Sequence, residues 1–226
     1  MKITAIVPMR HHSERVPGKN YRPFHGQPLY RHVVHALLAC PLLHEVVIDT
    51  DSDVILDDAA TVFPGVRLLR RPAHLRADTT PMNDVLLHTV QHAEVDLYLQ
   101  THSTNPLLRP ETVTEAIERF RAQTPAYDSL FSVTRLQTRL WDGLARAVNH
   151  NPAILLRTQD LPPVYEENSC LYLFSKATLE QRRNRIGERP LLFEMDPIEA
   201  QDIDEELDFQ IAEFLYAQRQ TQASAA

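Results

Sequence analysis

The sequence predicts an α/β protein whose mostly parallel sheet is covered by helices on both faces, a three-layer α/β/α arrangement. Two observations carry this. Short apolar runs alternate with stretches of helical period from residue 3 to residue 133. The 226 residues can bury a core that needs no disulfide or metal staple, and two cysteines, Cys40 and Cys170, are too few for a disulfide framework.

Ile3 to Met9 is an apolar run of buried-strand type. A cationic stretch from Arg10 to Asn20 follows, with Pro17-Gly18 as a turn signal. Pro28 suits a first helical turn, Leu29, Val33, Ala36, Leu37 and Cys40 share a face, and Pro41 ends that helix. Further strands are predicted at 45–49, 66–69, 95–100 and 130–133, separated by helices at 54–62, 82–93 and 110–122. The β-α order predicts right-handed crossovers between parallel strands. From Arg135 to Pro163 no helix can be drawn. Strand-like runs return at 170–174 and 191–195. A last helix, about 205–219, presents Leu207, Ile211, Phe214 and Leu215 on one face, and the tail TQASAA is expected to fray. With no repeat or linker, residues 1–226 read as one domain with an excursion at about 135–175.

Charge narrows the function. Lys and Arg number 23 against 30 Asp and Glu, and a net charge of −7 argues against a broad nucleic-acid surface. No run approaches the roughly 20 apolar residues of a membrane span, so a cytoplasmic protein is expected. Ligands of doubly wound sheets bind beyond the carboxyl ends of the strands. The loops 10–20, 49–53 and 100–109 are therefore the candidates. In the first, Arg10, Arg15 and Lys19 are interleaved with Ser13, Gly18 and Asn20, which makes either a polyphosphate cradle or a solvated basic turn. Gly-x-Gly-x-x-Gly and P-loop motifs are absent, which argues against a dehydrogenase or P-loop kinase. Asp202-x-Asp204 is either a magnesium-binding pair or the cap of the last helix.

The segment Val7-Pro8-Met9-Arg10-His11-His12-Ser13-Glu14-Arg15-Val16-Pro17-Gly18-Lys19-Asn20 resembles the nucleotide-binding signature of the acylneuraminate cytidylyltransferase family. That family includes CMP-sialic acid synthetases and is related to CMP-KDO synthetases. The resemblance continues in order through Asp49-Thr50-Asp51, Arg71-Pro72-Ala73, Asp78-Thr79-Thr80, Leu99-Gln100, Asn105-Pro106-Leu107, Asn168 and Asp202-Ile203-Asp204. It implies a Rossmann-like nucleotidyltransferase sheet, with CMP passing from CTP to a hydroxyl of an acidic sugar and pyrophosphate released. It also implies roles. Arg10, Arg15, Lys19 and Asn20 would hold the triphosphate and the start of the cytosine pocket. Arg71, Thr80 and Met82 would line the nucleobase, Gln100 and Asn168 would contact the acceptor, and Asp202 and Asp204 would hold Mg2+. Family members commonly form homodimers through the region around Trp141.

The chain departs from the pattern on the acceptor side. Glu14 stands where many members have lysine, the Gln-Pro-Thr-Ser-Pro segment is replaced by Gln100-Thr101-His102-Ser103-Thr104-Asn105-Pro106, and Tyr165-Glu166-Glu167-Asn168 lacks a basic residue for a sugar carboxylate. His102 follows the fourth strand and is placed toward the acceptor. These departures leave two alternatives: CTP-dependent activation of another small acid such as a phosphonate, or a nucleotide-binding member without turnover. His88 and His92 have the i, i+4 spacing of a zinc pair, but no His-Glu-x-x-His helix is present. Cys170 lies in an apolar run and reads as a buried small residue.

Overall fold

The computed structural model describes residues 1–225. Its centre is a seven-stranded sheet of β1 (Ile3–Met9), β4 (Glu45–Thr50), β5 (Arg67–Arg70), β6 (Leu97–Thr101), β7 (Ser129–Leu136), β8 (Val164–Phe174) and β9 (Pro190–Glu194), in the spatial order β5-β4-β1-β6-β8-β7-β9. A two-stranded ribbon, β2 (Pro23–Phe24) and β3 (Gln27–Pro28), lies outside it. The helices are α1 (Leu29–Leu38), α2 (Asp53–Val62), α3 (Met82–Thr89), α4 (Pro110–Gln123), α5 (Lys176–Arg182) and α6 (Glu206–Ala225).

Residue parity along the strands shows the three layers. Ala5 and Val7 of β1, Leu99 of β6 and Leu173 of β8 pack with Val33 and Leu37 of α1, Ile55 of α2 and Ile117 of α4. The opposite-parity residues Ile6, Tyr98, Tyr172 and Phe174 pack with Leu86 of α3 and Leu179 of α5. Successive strand side chains point to opposite faces, so these clusters lie on the two sides of the sheet. A strand covered on both faces is apolar at nearly every position, and all seven residues of β1 are buried, Thr4 alone among them polar.

The expected parallel sheet holds for β1 with β4 and β6, for β4 with β5, and for β7 with β9. One strand breaks the pattern. β8 runs antiparallel between β6 and β7, so these two strands, consecutive in the predicted order, are not neighbours. It also begins at Val164 rather than near 170. Residues 165–167 are exposed and pair with 133–135 beyond the core, so no apolar pattern marked them. α5 was missed for a related reason, since only Leu179 is buried; Ser175 starts it by accepting from the Thr178 N–H at 3.0 Å. Pro28 both closes the small ribbon and stands as the N-cap residue of α1, one position before its first turn.

The final helix corrects the predicted face. Leu207, Ile211 and Phe214 are exposed, whereas Phe209 and Ala212 are buried against Val16, Phe24 and Leu29. The helix is rotated so that its aromatic ring meets Phe24 edge-on at 5.6 Å. α6 continues to Ala225, through most of the tail expected to fray; Ala226 lies outside the described residues. Between β7 and β8, residues 137–163 form an irregular excursion with an isolated bridge from Trp141 to Ala147.

Candidate active site

The chain leaves β1 for β4 and β5 on one side and later returns to β6 on the other. The crevice beyond the carboxyl ends of β1 and β6 is therefore a topological switch point. A cavity of about 560 Å³ opens there. The loop after β1 forms one wall. Gly18 lets it turn, with φ +67° and the Tyr21 ring 3.0 Å from where a Cβ would stand. Asn20, buried, donates to the Arg10 carbonyl at 2.8 Å and accepts from Ser103 Oγ at 2.7 Å. It thereby ties the loop after β1 to the loop after β6.

Cations and carboxylates meet across this cavity. Arg10 pairs with Asp78 at 2.7 Å and Arg15 with Asp204 at 2.7 Å. Lys19 donates to the Ile203 carbonyl and lies 3.7 Å from Asp204 Oδ1. Desolvation, partly offset by Asp202 and Asp204, lowers the Lys19 pKa from its ordinary value. Desolvation raises that of Asp202, against a hydrogen bond with Thr104 and the Lys19 charge. Asp202 Oδ1 is buried with no hydrogen-bond partner, an orphan acceptor on the cavity wall. With the Asp204 carboxylate it forms an oxygen-only donor pair of the kind a hard divalent cation takes alongside waters and phosphates. Neither acid caps α6. Asp208 does that work, accepting from the backbone N–H groups of Asp204 at 3.0 Å and Glu205 at 2.8 Å.

The structure brings Arg10, Arg15, Lys19, Asn20, Arg71, Thr80, Met82, His102, Asp202 and Asp204 to the walls of this one cavity. The Arg71 guanidinium is already engaged: it is 2% exposed and bonded to the fully buried Asp49 at 2.7 Å and to the Asp49 carbonyl at 3.0 Å. His102 has a buried, unpartnered Nε2, and desolvation, reinforced by the charges of Arg185 and Lys19, pushes its pKa down to about 3. Its ring is neutral near pH 7.

Two predicted residues stand apart from the lining. Gln100 is fully buried and accepts from Arg185 at 2.6 Å. Asn168 is bound into the irregular β7–β8 pairing, accepting from Ser132 Oγ at 2.5 Å and donating to Thr134 Oγ1 at 3.1 Å. Ser169, its neighbour with φ +58°, lines the cavity instead. Sequence reasoning assigned no role to Asp78, Ser103, Thr104 or Ser169. Asp78 belongs to the Asp78-Thr79-Thr80 segment of the resemblance; the others are small polar residues whose placement depends on loop geometry. Glu14 is exposed on the cavity rim. Outside the cavity, the His88 and His92 rings lie 4.8 Å apart, and no third metal-ligating side chain completes a set among the described residues.

A cavity of this size at a switch point, walled by cations and a carboxylate pair, is built to take a polyanionic ligand of nucleotide dimensions. The family model described as "Cytidylyltransferase" matches residues 4–221, and the chain belongs to that family. It is similar to N-acylneuraminate cytidylyltransferase A of Danio rerio, 31% identical over 219 residues that cover 93% of this chain and 50% of that protein. The chain thus spans about half the length of that relative. It is also similar to CMP-N,N'-diacetyllegionaminic acid synthase of Legionella pneumophila, 29% identical over 230 residues, covering 95% of this chain and 96% of that one. Among solved structures, a CMP:2-keto-3-deoxy-manno-octonic acid synthetase complexed with CTP superposes with a TM-score of 0.72 at 17% identity, covering 97% of this chain and 100% of the other. That likeness is one of fold.

Proposed function

We propose that this protein transfers CMP from CTP to a hydroxyl of an acidic sugar, a sialic acid-like nonulosonic acid or a KDO-like acid, and releases pyrophosphate. The convergence of Arg10, Arg15, Lys19, Asp202 and Asp204 on one cavity, in a chain of this family, carries the reading. The names of its relatives support the acceptor class.

In the reaction the acceptor oxygen attacks the α-phosphorus. The bond from that phosphorus to the bridging oxygen of the β-phosphate breaks, the hydroxyl proton is lost, and pyrophosphate departs with the bonding electrons. Negative charge grows on the phosphate oxygens, where Arg10, Arg15 and Lys19 stabilise it. Asp78 and Asp204 hold two of these cations in place and give way to the phosphates. Asp202 and Asp204 would hold Mg2+, which supplies Lewis-acid polarisation of phosphate oxygens. Thr80, Met82 and the Arg71 segment form the nucleobase wall. Gln100, His102 and Asn168 belong to the acceptor side.

A homodimer fits the excursion, where Trp141, Leu144, Val148 and Leu155 are all more than half exposed. Buried free cysteines and a CTP substrate fit the cytoplasm, and no helix among the described residues is long and apolar enough to cross a membrane. The exposed Glu14 on the rim supports a second reading, a different small acid such as a phosphonate as acceptor. The test is pyrophosphate release from CTP with a panel of sugar acids and phosphonates. Release with a sugar acid, and far less with UTP, is expected. Equal turnover of UTP, or release with phosphonates alone, would overturn the assignment.

A further inference from the structure

The acidic run at 165–167 lacks the cation that a carboxylate acceptor calls for, yet the fold brings one in from a distant segment. Arg185 lies in the loop between α5 and β9. It is half-buried, and among the described residues no carboxylate oxygen lies within 4.0 Å of its nitrogens. Desolvation pulls its pKa below the ordinary arginine value. A desolvated guanidinium without an adjacent anion is costly, and such groups are normally paired.

The side chain is held firmly. Its Nη1 donates to Gln100 Oε1 at 2.6 Å, and its Cζ lies 3.5 Å above the centre of the Tyr172 ring. The loop is fastened as well: the Arg185 N–H donates to Asn83 Oδ1 at 3.2 Å, Arg183 pairs with Asp84 at 3.0 Å, and the Gly187 N–H donates to Ser129 Oγ at 2.8 Å. At Gly187 a Cβ would stand 2.1 Å from Asp128 Oδ1, so a side chain there would displace the carboxylate that accepts from the Glu188 and Arg189 N–H groups. The nearby acid, Glu167, accepts from the Tyr172 hydroxyl and acts on the guanidinium by its charge from beyond ion-pair distance.

Two further polar atoms around Arg185 lack partners. Gln100 Nε2 and His102 Nε2 are both buried and unbonded. His102 and Ser169 form the cavity wall at this end, and the Tyr172 hydroxyl reaches Ser169 Oγ at 3.2 Å. Arg185 therefore stands beside the nucleotide cavity, next to residues that line it.

We propose that Arg185, oriented by Gln100 and Tyr172, binds the carboxylate of the acceptor acid in a subsite adjoining the cavity at His102 and Ser169. This rests on the proposed transfer of CMP to an acidic sugar. A guanidinium offers a carboxylate two parallel hydrogen bonds, a geometry lysine cannot copy. In a 2-keto acid of the sialic or KDO type, the carboxylate is attached to the carbon that bears the attacking hydroxyl. Fixing it therefore aims that hydroxyl.

The experiment uses N-acetylneuraminate, 3-deoxy-manno-octulosonate and N,N'-diacetyllegionaminate, with the methyl ester of whichever the parent turns over best. Arg185→Gln should raise the KM for the acid roughly 10- to 100-fold, the scale of a lost charge-assisted hydrogen bond. The KM for CTP should stay within about twofold, since Arg185 does not line the nucleotide cavity. The ester, poor with the parent, should be used about equally by both. Arg185→Lys, which keeps the charge, should retain part of the preference for acid over ester, and it serves if the Gln variant does not fold. Equal losses for acid and ester, or a matching rise in the KM for CTP, would make Arg185 a support for Tyr172 and overturn the inference while leaving CMP transfer intact. If the parent binds CTP and turns over none of these acids, the CMP-transfer reading fails, and this one with it.

Discussion

Arg71→Met separates the stability of this fold from its recognition of nucleotide. The variant keeps most of the side-chain volume and removes the Nε bond to Asp49 Oδ1 at 2.7 Å and the Nη2 bond to the Asp49 carbonyl at 3.0 Å. Asp49 is fully buried, and it then retains only the Thr89 hydroxyl at 2.6 Å as a side-chain partner. Removing one member of a buried ion pair costs about 3–5 kcal/mol, because the other charge is left uncompensated. At about 2–4 °C per kcal/mol for a chain of this size, the melting temperature should fall by about 6–20 °C. Asp49→Leu combined with Arg71→Met should recover most of the loss, since apolar replacement of a whole buried pair is often neutral. Thr89 still donates to the Val85 carbonyl at 2.9 Å in that variant. Thermal melts at fixed protein concentration, with CTP titrations of the double variant, check both halves. The reasoning is refuted if Arg71→Met melts within about 2 °C of the parent while CTP affinity collapses, for the guanidinium would then face the ligand and not Asp49.

Arg10→Ala and Arg15→Ala should each lower kcat/KM by roughly two orders of magnitude, the scale for one lost transition-state charge stabiliser. Stability should move by less than about 1 kcal/mol, because both ion pairs are solvent-exposed; chemical denaturation beside steady-state kinetics checks the contrast. Asp202→Asn and Asp204→Asn should fold normally, lose most activity and regain part of it as Mg2+ is raised, whereas full activity at limiting Mg2+ would remove the metal role. His102 adds a pH dependence. Its folded pKa of about 3 lies below the unfolded value near 6.5, so the unfolded chain binds the extra proton. Stability should therefore fall as pH drops below about 6.5, by up to about 1.4 kcal/mol per unit from this group. Urea midpoints at several pH values should show a shallower fall for His102→Gln.

The strands buried on both faces were legible because β1, β4 and β6 each carry a short apolar run, which ends in β4 and β6 at the buried polar residues Asp49 and Gln100. The cationic wall of the cavity was legible because Arg10, Arg15 and Lys19 cluster in a single loop directly after a strand. Legibility ended where placement depends on distant pairing. Residues 165–167 join β8 through exposed pairing with β7, so polar residues there looked like loop. α6 offers two apolar stripes, and only packing against Phe24 selects the one with Phe209 and Ala212. Asp202 and Asp204 offer capping and metal roles in the sequence, and the structure bears on the first alone: Asp208 is the residue that accepts from the backbone at the start of α6. Arg185 is 85 residues from Gln100 in the chain, and no local pattern links them.

The fate of the α-phosphate tests the central claim most directly. CTP radiolabelled at that position, incubated with Mg2+ and each sugar acid in turn, should yield label in a CMP-sugar conjugate whose formation matches pyrophosphate release and requires the acid. Label appearing in free CMP at a rate independent of any acid would make this cavity a hydrolase site and contradict the account.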